Sequence, residues 1–189
     1  KWQSLQLLAA YGLPIPSTSY IGELVESSSQ LALHFPAVVL KTLVGMQGTG
    51  VELYEETNTA LNKLKMLKQV GEKALVQDFI AETRGQDIRA FVIGDQVAAS
   101  MQRTAGNGDF RANLHQGGKA ESIELTEEEK QIAIQATKAI GLDVAGVDLI
   151  RTKQGPMILE VNASPGLEGI ETVSGKDIAG MMVDYLLGI

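Results

Sequence analysis

The stretch between residues 144 and 162 constrains this chain most. Two apolar, β-rich runs, residues 144–151 and 156–162, flank a short polar connection at Lys153-Gln154, so the chain must double back as an antiparallel hairpin. Pairing about that turn sets Asp148 opposite residue 159 or 160. The two-residue period of a strand puts Glu160 and Asn162 on one face. Three oxygen-bearing side chains then converge among Val147, Leu149, Ile158, Leu159 and Val161. Carboxylates in so apolar a strand are costly unless a cation offsets them. Asp, Glu and Asn without His or Cys form a hard donor set, suited to magnesium and the substrate phosphates it usually accompanies. The same spacing also describes a polar stripe turned to solvent.

The 189 residues, 44% hydrophobic and 21% charged, suffice for one large domain or two small ones. No apolar run approaches the roughly 18 residues of a membrane span. Nor does a charged head precede an apolar stretch at residue 1, and the expectation is a protein of neither the membrane nor the secretory class. The lack of cysteine excludes thiol catalysis, disulfide frameworks and zinc–thiolate sites, and fits a reducing, cytoplasmic setting. Sixteen basic against 23 acidic residues leave a net charge of −7, the wrong sign for a broad nucleic-acid face. An anionic ligand must be met locally, and four arginines, Arg84, Arg89, Arg103 and Arg111, fall close together in the chain.

Residues 1–12 have helical spacing and stop at Gly12. They begin without a methionine or a cap, and read as part of a longer chain. Residues 37–43, a tip containing Gly45, Gly48 and Gly50, and residues 51–54 predict a hairpin. A helix over 57–70, with Leu61, Leu64 and Leu67 on its apolar face, ends at Gly71. A strand over 74–80 and a hairpin over 88–103, turning at Gly94-Asp95, follow; residues 104–119 read as a loop. Thr126 and Glu129 form a capping box opening a helix that turns Ile132, Ala136, Ala139 and Ile140 inward before Gly141. Residues 178–187 predict a closing helix. Hairpins interleaved with helices indicate an α+β arrangement of antiparallel sheets, divided into lobes at residues 1–74 and 75–189.

Lys41 precedes the glycine tip, where a lysine on a rigid strand beside freed backbone N–H groups makes a phosphate cradle. The tip lacks the Walker pattern and opens no helix. A mobile tip beside an edge-strand lysine that discourages aggregation fits the same residues. Arg89 alternates with Asp87 on one face of the second hairpin, Arg103 ends it, and Arg111-Ala112-Asn113 follows. Such guanidinium forks bind phosphate or carboxylate and stabilise an oxyanion, although each alone also reads as a surface arginine. His34 reads as a turn residue and His115 as a surface residue.

Taken in order, Lys41, the glycine tip, Val76-Gln77-Asp78-Phe79-Ile80, Asp87-Ile88-Arg89, Arg111-Ala112-Asn113-Leu114-His115, Gly146-Val147-Asp148 and Glu160-Val161-Asn162-Ala163-Ser164-Pro165-Gly166 resemble the ATP-grasp superfamily. Within it the chain is similar to the RimK-like glutamate ligases. The resemblance covers essentially the whole chain. It implies two α+β lobes with antiparallel sheets enclosing an ATP cleft, without the family's usual N-terminal domain. It further implies Lys1 and Lys41 as phosphate lysines, aided by Gly48 and Gly50. Asp78 and Phe79 would stand on the adenine side, Asp87 on the ribose side, and Arg111, Ala112 and Asn113 in a nucleotide and acyl-phosphate loop. Asp148, Glu160 and Asn162 would hold magnesium or manganese, and Arg111, Arg89 and Arg103 would be catalytic. The implied activity is ATP-dependent carboxylate–amine ligation through an acyl phosphate, adding L-glutamate to the acidic C-terminal tail of a ribosomal protein, without direct nucleic-acid or membrane contact. Ligation onto a carrier protein or cofactor, a non-catalytic ATP-binding module, and assembly as a homo-oligomer stay open.

Overall fold

The computed structural model describes residues 1–22, 37–43, 50–106, 109–112 and 117–189. Along the chain run α1 (Trp2–Ala10), β1 (Thr18–Ile21), β2 (Val38–Thr42), β3 (Val51–Tyr54), α2 (Thr57–Gln69) and β4 (Ala74–Asp78). There follow β5 (Gln86–Ile93), β6 (Gln96–Thr104), β7 (Lys119–Ser122), α3 (Glu127–Ile140), β8 (Val144–Thr152), β9 (Gly155–Asn162), α4 (Glu168–Ser174) and α5 (Ile178–Leu187). The chain divides into two units, Lys1–Trp2 with Pro16–Ala81, and Gln3–Ile15 with Glu82–Ile189. This corrects the division at 74/75. β4 pairs with both β1 and β2, so its hydrogen bonds bind it to the first sheet.

In the first unit the antiparallel sheet runs in the order β1-β4-β2-β3. Period-two alternation sends Val38, Leu40, Ala74 and Val76 to one face, where they meet Ala60 and Leu64 of α2, with Tyr54 and Leu67 at the margin. Burying this apolar stripe is what holds so lysine-rich a helix in place. β2 lies between β4 and β3, so Lys41 is not an edge-strand residue. Trp2 stacks on Tyr20 with ring centroids 5.5 Å apart.

In the second unit the sheet runs β7-β6-β5-β8-β9, again antiparallel. Phe91, Ile93, Ala99 and Met101 pack beneath Ile170 of α4 and Ile178 of α5. The helix α3 turns Ile132, Ala133 and Ala136 inward. Its capping box forms as the sequence indicates: Thr126 Oγ1 accepts from the Glu129 N–H at 3.2 Å, and Glu129 Oε2 accepts from the Thr126 N–H at 2.9 Å. Gly141 ends it in the left-handed conformation. The helix α4 and the edge strands β1 and β7 had no counterpart in the sequence reading. β1 and β7 are short, and β7 is largely polar and exposed.

Candidate functional site

Two irregularities in the second sheet assemble the polar cluster. From its turn, the β8–β9 ladder pairs Thr152 with Gly155 and Leu149 with Ile158; continued regularly it would set Asp148 against Leu159. A bulge leaves Leu159 without a ladder partner and brings Glu160 opposite Asp148 and Asn162 opposite Gly146. The β5–β6 ladder behaves in the same way. Ile93 pairs with Gln96 and Val92 with Val97, then the register shifts past Ala98, so that Asp87 meets Arg103 in place of Gln102. Both bulges are held from outside their ladders: Lys176 Nζ donates to the Ala98 carbonyl at 2.7 Å, and the Ile158 N–H donates to the Pro14 carbonyl at 2.8 Å. The outcome is a cross-strand row Arg89–Asp148–Glu160, with Asp87–Arg103 on one side and Asn162 on the other.

The contacts within this row are close. Arg89 grips Asp148 with both arms, Nε to Oδ1 and Nη2 to Oδ2, each at 2.7 Å. Arg103 grips Asp87 likewise at 2.6 and 2.7 Å, and reaches Asp148 Oδ2 at 3.0 Å. Asn162 Nδ2 donates to Glu160 Oε1 at 3.2 Å and approaches Asp148 Oδ2 at 3.4 Å. Asp148 is only 3% exposed. Burial pushes its carboxyl up, but the adjacent Arg103 and Arg89 outweigh this and hold it below the ordinary carboxylate range. Asp87 is pushed up to about 6 by burial, against the pull of Arg103 and with the Asp148 charge adding to the rise. Burial opposes the charge of Arg103, yet Asp148 and Asp87 raise its pKa further. Among the described residues no group of three or more His, Cys, Asp or Glu has metal-binding geometry. The cluster here is two carboxylates and an amide, which as donor chemistry fits a hard divalent ion.

Arg111 is in a more open setting than Arg89 and Arg103. Its Nη2 meets Asp109 Oδ2 at 2.8 Å, and its guanidinium carbon lies 5.7 Å from the Phe110 ring centroid. The hydrogen bond to Asp109 raises its pKa. Ala112 is buried, and Asn113 and His115 lie outside the described residues.

In the first unit, Lys1 Nζ donates to the Thr42 carbonyl at 3.2 Å, which brings Lys1 beside the strand that carries Lys41. Register places Lys41 level with Leu75, and Asp78 level with Val38 on the opposite face of the sheet. Burial pushes the Asp78 carboxyl up while the Phe79 N–H pulls it down. Gly50 has φ +76°, and a Cβ there would come within 2.0 Å of Thr42 Oγ1, so this glycine closes the hairpin. Gly45, Gly48 and His34 lie outside the described residues.

One residue carrying the arrangement entered the sequence reading only as part of the motif Gly146-Val147-Asp148, with no structural role of its own. Gly146 sits mid-strand between Phe91 and Asn162, and a Cβ there would come 2.7 Å from Pro165 Cβ and 3.4 Å from Arg89 Nε. A glycine inside an otherwise apolar strand is the sequence signal of such a close approach.

Comparison with known proteins converges on one group. The probable alpha-L-glutamate ligase of Haemophilus influenzae is 56% identical over 186 residues, 98% of this chain and 62% of that protein. The corresponding Pasteurella multocida protein is 53% identical over 98% of this chain and 59% of its own length. The chain thus spans about three-fifths of these curated relatives. Among solved structures, the ATP-grasp ligase PsnB with precursor peptide PsnA2 and AMPPNP superposes with a TM-score of 0.79 at 25% identity, covering 100% of this chain and 58% of that one. D-alanine–D-alanine ligase from Bacillus anthracis complexed with ATP, at 19% identity, has a TM-score of 0.72 over 98% of this chain and 62% of its own, a likeness of fold alone. Two antiparallel sheets with their helices, the row of acids and arginines on the second, and a match of residues 1–186 to the RimK-like ATP-grasp domain agree: the chain belongs to the RimK-like ATP-grasp family.

Proposed function

We propose that this chain is the catalytic part of an ATP-dependent carboxylate–amine ligase that adds L-glutamate to the acidic C-terminal tail of a ribosomal protein in the cytoplasm. The observation that carries this reading is the row Arg89–Asp148–Glu160 with Asn162, two acids and an amide brought together with arginines on one sheet face. The names and bound ligands of the relatives supply the rest of its support: glutamate ligases in sequence, and a peptide and an ATP analogue on PsnB. Among the described residues no helix is long and apolar enough to cross a membrane.

Asp148, Glu160 and Asn162 would hold magnesium, or manganese in its place. When bound there, the ion neutralises negative charge on the phosphates. Lys41 and Lys1, with Gly48 and Gly50, bind the phosphates; Asp78 and Phe79 take the adenine end, and Asp87 the ribose end. A substrate carboxylate oxygen attacks the γ-phosphorus, forming the C–O–P bond of an acyl phosphate as the bond to ADP breaks. The glutamate amine then attacks the acyl carbon, its proton is lost, and inorganic phosphate departs as the amide forms. Arg111, in the loop with Ala112 and Asn113, and the Arg89 and Arg103 guanidinium groups stabilise the developing oxyanion. Each of these arginines is paired with a carboxylate, so the positive charge that would admit an acidic peptide to a chain of net charge −7 would come from the bound ion.

The test is mass spectrometry of acidic-tailed peptides incubated with the whole purified protein, ATP, magnesium and L-glutamate. Stepwise addition of glutamate residues matched by ADP release is the expected outcome, with both lost in Asp148→Asn and Glu160→Gln. ATP binding without ADP release under any acceptor would overturn the ligase reading. ADP release with another acceptor but no peptide extension would overturn the substrate assignment alone.

A further inference from the structure

Asp148 is held by three N–H groups of two arginines. Its Oδ1 accepts from Arg89 Nε, and its Oδ2 accepts from Arg89 Nη2 and Arg103 Nη2 with Asn162 Nδ2 close by. A carboxylate offers about four lone-pair sites, so no cation can use these oxygens fully while both arginines stay. The two arginines are not equally committed. Arg103 has a second carboxylate, Asp87, bound through Nε at 2.6 Å and Nη2 at 2.7 Å, shorter than its 3.0 Å contact with Asp148. Both hydrogen bonds of Arg89 go to Asp148. Displacing Arg89 clears Oδ1 and lifts one of the two guanidinium contacts from Oδ2, whereas displacing Arg103 lifts only the other contact on Oδ2 and strands Asp87.

We propose that Arg89 is a place-holding cation: it leaves Asp148 when a divalent ion takes those oxygens, while Arg103 stays on Asp87. This rests on the metal reading of Asp148, Glu160 and Asn162. Without the metal, Arg89 fixes the orientation of the buried Asp148 carboxylate through paired hydrogen bonds at 2.7 Å. With the metal, a doubly charged ion and a guanidinium on one carboxylate repel each other, and the arginine without a second carboxylate yields. The freed guanidinium remains anchored on β5 in the row with Asp148 and Glu160, where its next acceptor is an oxyanion, phosphate or carboxylate, arriving beside the ion. Arg89 thereby couples occupancy of the metal site to the creation of an anion receptor, and neither exists in full without the other.

The experiment is NMR of the arginine Nε–H groups in the purified protein during magnesium titration, with the Arg89 signal assigned from its absence in Arg89→Lys. Manganese broadening of the Asn162 side-chain amide reports whether the ion is at this cluster. The expected result is loss of exchange protection at Arg89 Nε–H toward that of a solvent-exposed arginine, with Arg103 Nε–H still protected. Retained protection at Arg89 while manganese broadens Asn162 overturns the proposal and leaves the metal reading standing. Loss at both arginines overturns the selectivity. An Asn162 amide untouched by manganese removes the metal site and this proposal together.

Discussion

Replacing Asp148 by asparagine in the metal-free protein removes the charge on which Arg89 depends. The side chains of Arg89 and Asp148 are 13% and 5% exposed, so water cannot substitute for the lost partner. Breaking a buried pair by removing one member costs about 3–5 kcal/mol. The asparagine carbonyl still accepts one hydrogen bond, and Arg103 keeps Asp87, which places the expectation at the lower end, about 3 kcal/mol. For a chain of this length that is a fall in Tm of roughly 6–12 °C. Arg89→Met leaves Asp148 with Arg103 and should cost less, about 1–2 kcal/mol. Because the two changes destroy one shared interaction, the double variant should be less destabilised than the sum by at least about 1 kcal/mol. Urea unfolding followed by circular dichroism, with chelator present, measures all four corners of the cycle. An Asp148→Asn protein within about 0.5 kcal/mol of the parent, or a strictly additive double variant, would refute the view that the cluster is a buried, mutually dependent network.

Other perturbations probe the supports around the cluster. Gly146→Ala forces a methyl to within 2.7 Å of Pro165 Cβ and should cost about 1–3 kcal/mol in urea unfolding, recovered in part by Pro165→Gly; no change in the single variant would count against close approach as the reason for this glycine. Gly50→Ala combines φ +76° with a clash against Thr42 Oγ1 and should destabilise the first unit by more than about 1 kcal/mol; adding Thr42→Ala should relieve the clash but not the backbone strain. Glu129→Gln keeps the capping-box geometry but removes the ion pair with Arg151, whose side chain is 48% exposed, so the loss near pH 7 should stay within about 1 kcal/mol. The hydrogen bond from Arg151 holds Glu129 below its usual 4.5, so this stabilisation is present above that value and disappears as pH falls through the lowered one. Unfolding curves of parent and Glu129→Gln should therefore converge in acid; a gap constant down to strongly acidic pH would contradict the assignment.

The hairpins, the helix opened by Thr126 and Glu129, and the closing helix were legible in the sequence because turn residues, caps and apolar period act over a few residues. Asp87 alternating with Arg89, and Glu160 with Asn162, were equally local. The choice between residues 159 and 160 opposite Asp148 was not, because it depends on a bulge stabilised by Pro14, far away in the chain. For the same reason the pairing of Asp87 with Arg103 could not be read from spacing: Lys176 holds the Ala98 bulge that creates it. The boundary at 74/75 failed where partner choice decides, since β4 reads as a strand in either unit and only its hydrogen bonds with β1 and β2 assign it. β1 and β7 escaped notice because short edge strands with polar residues resemble loops.

The bulges at Ala98 and Leu159 lie between each hairpin's tip and its functional end. Each is one residue of slack, so the length of the tip is uncoupled from what happens farther down the strands. A shortened protein lacking Ala98 or Leu159 would still bring Asp87 to Arg103 and Asp148 to Glu160, giving up only the tertiary hydrogen bonds that now anchor the kinks. A deletion on the far side, among residues 99–102 or at Val161, would slip the strand and turn Arg103 or Asn162 to the opposite surface. Tolerance to single-residue loss should therefore change abruptly at two points in the chain, and those points mark where scaffold ends and chemistry begins.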